Sequence, residues 1–270
     1  MKKVILVFEG TSFSEGAFNF ARNLNALKRI LLTGVFLPQA QLADLWSYAD
    51  GISGPFIPTL ESNEAILVQK NIERFEGLCT ANNIQFAVHR DFFDFALTDL
   101  KKESRFADLL ILGSEVFYAH SDATRYLHDA LNDIACPVLL VPEQSELPES
   151  IILAYDGSNN SIFAIKQFAY LLPELNNKRT LLVYANNDTD KDLPDKQLIE
   201  ELALRHFADL TLYKLNLNPK KYFGDWLLER KSAMLVCGSH GRSGLSKLFK
   251  RSFIKDIINN HKIPVFIAHT

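Results

Sequence analysis

The protein has 270 residues, of which 47% are hydrophobic and 23% charged, with a net charge of -3 at neutral pH. This length can bury a full core in one large domain or two small ones, and the weak negative charge offers no basic field for a DNA or RNA partner. No apolar run approaches the roughly 20 residues of a transmembrane helix, and the run after Met1 is too short for a signal peptide. The sequence therefore predicts a cytoplasmic protein without a membrane contact.

The predicted elements repeat along the sequence. The first apolar run ends in VFEGTS at residues 7–12, and a run beyond the midpoint ends in AYDGSN at residues 154–159. Two further pairs of similar segments follow in the same order, 107–114 with 232–239 and 137–141 with 264–268. Three matches in one order predict two copies of one unit.

An insertion lengthens the first copy. Residues 37–62 follow its second predicted strand and are rich in proline, glycine and aromatic residues. Long loops of this kind are typically lids, binding loops or interface arms, but an insertion can also be tolerated without a role. Both interpretations stay open for this segment.

Each copy is predicted to alternate strands with helices. The predicted strands of the second copy are 151–155, 180–184, 210–215, 234–237 and 264–268. Strands that are almost entirely apolar are buried on both faces, which is typical of a parallel sheet covered by helices. The pattern predicts an α/β fold of two tandem doubly wound domains, each a five-stranded parallel sheet with helices on both faces. A polar linker that includes proline, 142–149, places the domains at 1–145 and 150–270.

The second copy has a glycine-rich stretch, GSHGRSGLSKLFKRS, at residues 238–252. Ligands of open parallel sheets bind beyond the carboxyl ends of the strands where the strand order reverses, and there this stretch meets the loop at 156–158. Glycines permit close approach of backbone N–H groups to an anion, and Ser252 is placed to begin the next helix. Cationic charge comes from Arg242, Lys247, Lys250 and Arg251. The stretch is predicted to hold phosphate.

The sequence resembles a tandem universal stress protein over nearly its whole length. The nucleotide-binding branch of that family carries Gly, two residues, Gly, nine residues, then Gly followed by Ser or Thr; Gly238, Gly241 and Ser252 match at that spacing. The resemblance implies an adenine nucleotide alpha hydrolase-like fold. It also implies ATP or a related adenine nucleotide in the second domain, with Mg²⁺ held by the phosphates.

The same resemblance extends to three further residues. Asp156 matches the first-strand acid that contacts the nucleoside end, and Tyr184 falls near the strand-two position whose backbone meets the base. Arg251 replaces the third glycine of the motif, so its side chain either intrudes on the phosphate site or binds phosphate through its guanidinium. The predicted nucleotide-binding residues are Asp156, Tyr184, Gly238, Gly241, Arg242, Arg251 and Ser252.

The first copy is not expected to bind ATP. It lacks the second glycine and the basic stretch, and Glu115 would repel a phosphate. Phe117 and Tyr118 suggest either an apolar ligand or none, because aromatic residues beside a strand usually belong to the core.

Neither catalysis nor a protein-held metal is expected. The three cysteines have no CxxC spacing, the seven histidines form no ligand motif, and no P-loop occurs. No nucleophile with a base stands at a recognisable spacing, so the protein is predicted not to be an enzyme, with slow incidental ATP hydrolysis at most. His240 is interpreted as a capping or packing residue of its loop.

Two functions remain open at the level of the sequence. One is a stress-response module that senses a ligand, with ATP in its second domain altering how the protein associates. The other is an interaction protein with an unidentified protein partner, acting through the aromatic insertion at 46–56 and its dimer surfaces. The apolar edge strands 137–141 and 264–268 are expected to be paired or covered. Such strands meet across a dimer in the resembled family, which implies that here they pair with each other as an intrachain pseudo-dimer; a homodimer is compatible with the same pattern.

Overall fold

The structure is a computed structural model, and it describes residues 1–9, 11–37, 62–89, 96–114, 134–188, 190–216, 218–230, 232–238 and 263–268. The protein forms two compact units, Met1–Cys136 and Pro137–Thr270. Most of the predicted insertion and all of the glycine-rich stretch after Gly238 lie outside the described residues. No described helix is both long enough and apolar enough to cross a membrane.

The first unit is a parallel sheet with helices. Its described elements are β1 (Lys2–Glu9), α1 (Glu15–Leu27), β2 (Ile30–Leu37), α2 (Ser62–Ala81), β3 (Gln85–His89), α3 (Ala96–Ser104) and β4 (Leu109–Gly113). The strands run in the order β3-β2-β1-β4, and every pair is parallel. The side chains of Val4 to Phe8 are at most 1% exposed, which is the burial on both faces that the apolar pattern predicted.

The second unit repeats this arrangement. Its described elements are β5 (Val138–Val141), β6 (Ser150–Ala154), α4 (Asn159–Leu171), a 3₁₀ helix (Pro173–Leu175), β7 (Arg179–Asn186), α5 (Lys196–His206), β8 (Asp209–Asn216), α6 (Pro219–Leu228), β9 (Ala233–Gly238) and β10 (Val265–Ala268). The parallel strands follow the order β8-β7-β6-β9-β10. All five strands predicted for this half are present, and the α/β fold class is confirmed.

The strand β5 completes the sheet of the second unit. It runs antiparallel to β10, with Leu140 opposite Val265 and Leu139 opposite Phe266. The sequence assigned this strand to the first domain, whereas contacts group it with the second unit, which begins at Pro137. The expected pairing of the two edge strands is present, and the domain limits 1–145 and 150–270 stay a prediction.

Candidate functional site

The carboxyl ends of three neighbouring strands form the candidate site. β6 lies between β7 and β9 and is parallel to both, so the loops after these strands leave the same edge of the sheet. This order brings Asp156, Tyr184 and Gly238 to one edge. The other four predicted binding residues lie outside the described residues: Gly241, Arg242, Arg251 and Ser252.

Asp156 belongs to the turn that starts α4. Its Oδ1 accepts a hydrogen bond of 2.9 Å from the backbone N–H of Ser158. Ser158 is in turn the N-cap of the helix, because its hydroxyl accepts a bond of 3.2 Å from the backbone N–H of Ser161. The carboxylate of Asp156 therefore lies beside a helix N-terminus, where the positive end of the helix dipole stabilises negative charge.

Gly157 brings the loop after β7 against the loop after β6. Its φ of +79° lies in the left-handed region, which favours glycine. A Cβ built on Gly157 would lie 2.7 Å from the Cβ of Pro194, closer than two carbon atoms can approach. Since any side chain here would displace Pro194, the contact between the two loops requires a glycine.

Tyr155 connects the same two loops by a hydrogen bond. Its side chain is fully buried, and its hydroxyl donates to the carbonyl oxygen of Pro194 at 2.8 Å. Burial raises the pKa of Tyr155 to about 12, and the carboxylates of Asp195 and Asp156 act in the same direction. The hydroxyl therefore remains a donor at neutral pH. Sequence reasoning treated Tyr155 as the end of a strand and missed this role.

Tyr184 lies next to Tyr155 and organises the start of the β7–α5 loop. It is 6% exposed, and its hydroxyl accepts a bond of 2.8 Å from the side-chain amide of Asn186. The Oδ1 of Asn186 accepts from the backbone N–H of Asp188, and the Oδ1 of Asp188 accepts from that of Asp190. Such bonds from side-chain oxygens to backbone N–H groups are typical of tight turns.

Asp195 provides a second carboxylate near Tyr155. It precedes α5 in the left-handed conformation, with φ 46° and ψ 39°, and its side chain forms no capping bond to the helix that the structure describes. A left-handed residue other than glycine costs about 1 to 2 kcal/mol. Within the described ranges, no group of three or more His, Cys, Asp or Glu side chains could hold a metal ion.

Gly238 has a packing role that is independent of any ligand. A Cβ on this residue would lie 2.5 Å from the carbonyl carbon of Asn160 and 2.6 Å from its carbonyl oxygen. The end of β9 therefore lies directly against the first turn of α4. Close packing of strand and helix is one recognised use of glycine in nucleotide-binding α/β folds.

The matching edge of the first unit is filled by phenylalanines. Phe8 stands where the second unit has Tyr155, and Phe36, its register partner, stands where the second unit has Tyr184. The rings of Phe8 and Phe36 stack at 4.8 Å, and Phe13 stacks on Phe8 at 4.6 Å. These rings carry no hydroxyl, so the edge is held by apolar packing.

A cation and a further ring complete this aromatic cluster. The ring of Phe75 packs edge-on against both Phe8 and Phe36, at 5.8 and 6.0 Å. The guanidinium of Arg74 lies 4.5 Å above the ring of Phe13 and pairs with Glu15. The residues considered for a ligand of this half, Glu115, Phe117 and Tyr118, lie outside the described residues.

No family model and no curated protein matches this sequence. Solved structures do share its doubly wound parallel architecture. A universal stress protein from Archaeoglobus fulgidus DSM 4304 is 15% identical with a TM-score of 0.66, and the alignment covers 99% of this protein and 96% of that one. A putative universal stress protein from Pseudomonas aeruginosa UCBPP-PA14 is 14% identical with a TM-score of 0.52, over 99% and 93%.

The cytoplasmic domain of a prokaryotic cation chloride cotransporter also shares the fold. It is 10% identical with a TM-score of 0.56, over 98% of this protein and 94% of that one. At these identities the likeness establishes the fold: the protein has the fold of the universal stress proteins, as the sequence predicted. A fold that also occurs in a transporter does not by itself define the function.

Proposed function

We propose that the protein is a universal stress protein-like module that senses a ligand by binding ATP or a related adenine nucleotide in its second unit. One observation carries the proposal. The order β7-β6-β9 places the loop of Asp156 beside Gly238, the residue from which the glycine-rich, basic stretch continues. Asp156 and Gly238, the first glycine of the motif that the family resemblance implies, thus lie at one edge of one sheet, which supports the proposal.

The charges at this edge favour one orientation of the bound nucleotide. The carboxylates of Asp156 and Asp195 lie near Tyr155, and we call the edge formed by residues 155–158, 184–188 and 190–195 the nucleoside end. Carboxylates accept hydrogen bonds from ribose hydroxyls and repel phosphates. The cations of residues 242–251 would hold the phosphates, and the phosphates would hold Mg²⁺.

The first unit is proposed to bind no nucleotide, so that each protein molecule takes one nucleotide. Phe8 and Phe36 fill the positions that correspond to Tyr155 and Tyr184, and they stack on each other. Neither ring offers a hydrogen-bond donor or acceptor, so the hydroxyls of a ribose placed against them would be desolvated by apolar surface, which is unfavourable.

The remaining parts of the proposal concern its setting. We take the protein to be a cytoplasmic stress-response protein rather than an enzyme, with an unidentified protein partner. We also propose that the two copies form an intrachain pseudo-dimer, and that a homodimer is the assembly that the ligand influences. The universal stress proteins among the structures of similar fold support this setting.

Calorimetric titration with ATP and Mg²⁺ tests the proposal. We expect one site per molecule in the unmodified protein and loss of binding in Gly241→Val. Asp156→Asn should weaken binding, because the amide keeps the acceptor for Ser158 but loses the charge. Asp209→Asn is the matched control, because Asp209 is the first residue of β8 and so lies at the amino ends of the strands, away from the candidate site. Absence of heat at millimolar ATP would contradict the proposal and favour an interaction protein that acts through its aromatic insertion.

A further inference from the structure

The β7–α5 loop has few anchors in the described structure. Its described residues between Asn186 and Ile199 are all exposed or half-buried, so no buried apolar side chain fixes them to the core. Near the end of the loop, Pro194 makes two contacts with residues 155–157. Its carbonyl oxygen accepts from the buried hydroxyl of Tyr155, and its ring lies against Gly157.

We propose that Tyr155 is a positioning residue that holds the β7–α5 loop against the β6–α4 loop through its bond to Pro194, and thereby fixes the shape of the nucleoside end. The part that concerns ligand affinity rests on the proposed function. The part that concerns the loop stands on the contacts alone.

The bond acts at the point where the loop turns into its helix. Pro194 is followed by Asp195, whose left-handed backbone must be stabilised by its surroundings. The N–H groups of Leu198 and Ile199 then donate to the carbonyl oxygen of Asp195, which begins α5. If the loop moves away from Tyr155, the carboxylate of Asp195 therefore moves with it. This carboxylate is one of the two that raise the pKa of the Tyr155 hydroxyl.

The two ends of the loop are fixed by different tyrosines. Tyr184 acts at the start, where its hydroxyl accepts from Asn186. Tyr155 acts at the end, where it donates to Pro194. In the first unit the corresponding residues, Phe8 and Phe36, have no hydroxyl and stack instead. Only the second unit, which has the glycine-rich motif, can therefore fix this loop through tyrosine hydroxyls at these two positions.

Hydrogen exchange of the protein without nucleotide tests the loop. In Tyr155→Phe we expect amides of residues 187–198 to exchange about three- to tenfold faster, as the loss of one hydrogen bond implies, with other segments unchanged. Tyr170→Phe removes the same atom from a side chain that is 55% exposed on α4, and should leave the loop unchanged. Unchanged exchange in Tyr155→Phe, or a uniform increase over the whole protein, overturns the proposal.

A second variant reaches the same contact with the hydroxyl intact. Gly157→Ala would push its Cβ into Pro194, so it should accelerate exchange in the same segment. The effects of Tyr155→Phe and Gly157→Ala should add incompletely in the double variant, because both release one contact. Full additivity would contradict a shared contact.

ATP affinity distinguishes positioning from a merely structural role. Tyr155→Phe should weaken ATP binding about three- to tenfold at a temperature where the variant is fully folded, whereas Tyr170→Phe should not. Faster exchange with unchanged affinity overturns the positioning role. If the unmodified protein binds no ATP, the proposed function fails, and the exchange measurement still decides whether Tyr155 holds the loop.

Discussion

Gly238, the last residue of β9, lies against the backbone of Asn160 in the first turn of α4. A Cβ added to Gly238 would be 2.5 Å from the carbonyl carbon of Asn160 and 2.6 Å from its carbonyl oxygen. These are backbone atoms, which cannot move aside as the end of a flexible side chain can. The glycine that begins the predicted phosphate motif is thus required by the fold before any ligand is considered.

Gly238→Ala should destabilise the protein by about 1 to 3 kcal/mol, because extra volume at a packed contact forces the backbone to shift. Gly77→Ala is the matched control. It lies inside α2, a Cβ there would meet nothing within 4 Å, and alanine should stabilise the helix by about 0.5 to 1 kcal/mol. Urea denaturation measures both. Equal effects of the two substitutions would contradict the close contact at Gly238.

Ser158→Ala should cost about 1 kcal/mol of unfolding free energy, because the N–H of Ser161 loses the acceptor that caps α4. Ser158→Asn should retain most of the stability, since asparagine caps helices about as well as serine. The same denaturation experiment checks the pair. A loss in Ser158→Asn as large as in Ser158→Ala would show that the hydroxyl has another role.

The fold was readable from the sequence because its strongest signals are local. Apolar runs such as residues 234–237, ended by glycine, predicted buried parallel strands, and the repeated order of motifs predicted the duplication. The pairing of the edge strands was also predicted, and β5 does pair with β10. The point at which the two units divide is not a local property. The sequence puts 137–141 at the end of the first copy, whereas contacts between residues far apart in sequence group β5 with the second unit.

The candidate site was predictable in part. The edge shared by Asp156, Tyr184 and Gly238 follows from strand order, which the motifs indicated. The contacts of Pro194 with Tyr155 and Gly157 were not predictable, because they join two separate loops and depend on backbone angles that the sequence does not state. One difference between the repeats did point to these contacts: the second copy has Tyr155 and Tyr184 where the first has Phe8 and Phe36.

The stability of the protein should fall as the pH rises from about 9 towards about 12. Burial raises the pKa of the Cys79 and Cys136 thiols from 9.0 to about 12, and it also raises that of Cys237. In this window the folded protein keeps protons that the unfolded state loses, so alkali favours unfolding. Unfolding free energies measured across this range should decline less steeply in Cys79→Ala/Cys136→Ala than in the unmodified protein.

The same thiols should resist modification in the folded protein. All three cysteines are at most 6% exposed, and a protonated thiol is a poor nucleophile. Ellman's reagent at about pH 8 should react slowly with the native protein and rapidly with all three thiols in guanidinium chloride. Rapid reaction of a native thiol would contradict its burial.

Phe75→Ala should lower the stability of the first unit and leave that of the second unit nearly unchanged. Phe75 is fully buried and its ring contacts Phe8 and Phe36, so truncation should cost the first unit about 3 to 5 kcal/mol. Phe106→Ala, at a residue 68% exposed, should change stability by about 0.5 kcal/mol or less. Hydrogen exchange resolves the effect by segment: amides of residues 1–37 should exchange faster, while those of β6, β7 and β9 should change little. If both units lose protection equally, they unfold as one cooperative body, and the aromatic cluster supports the candidate site as well as its own unit.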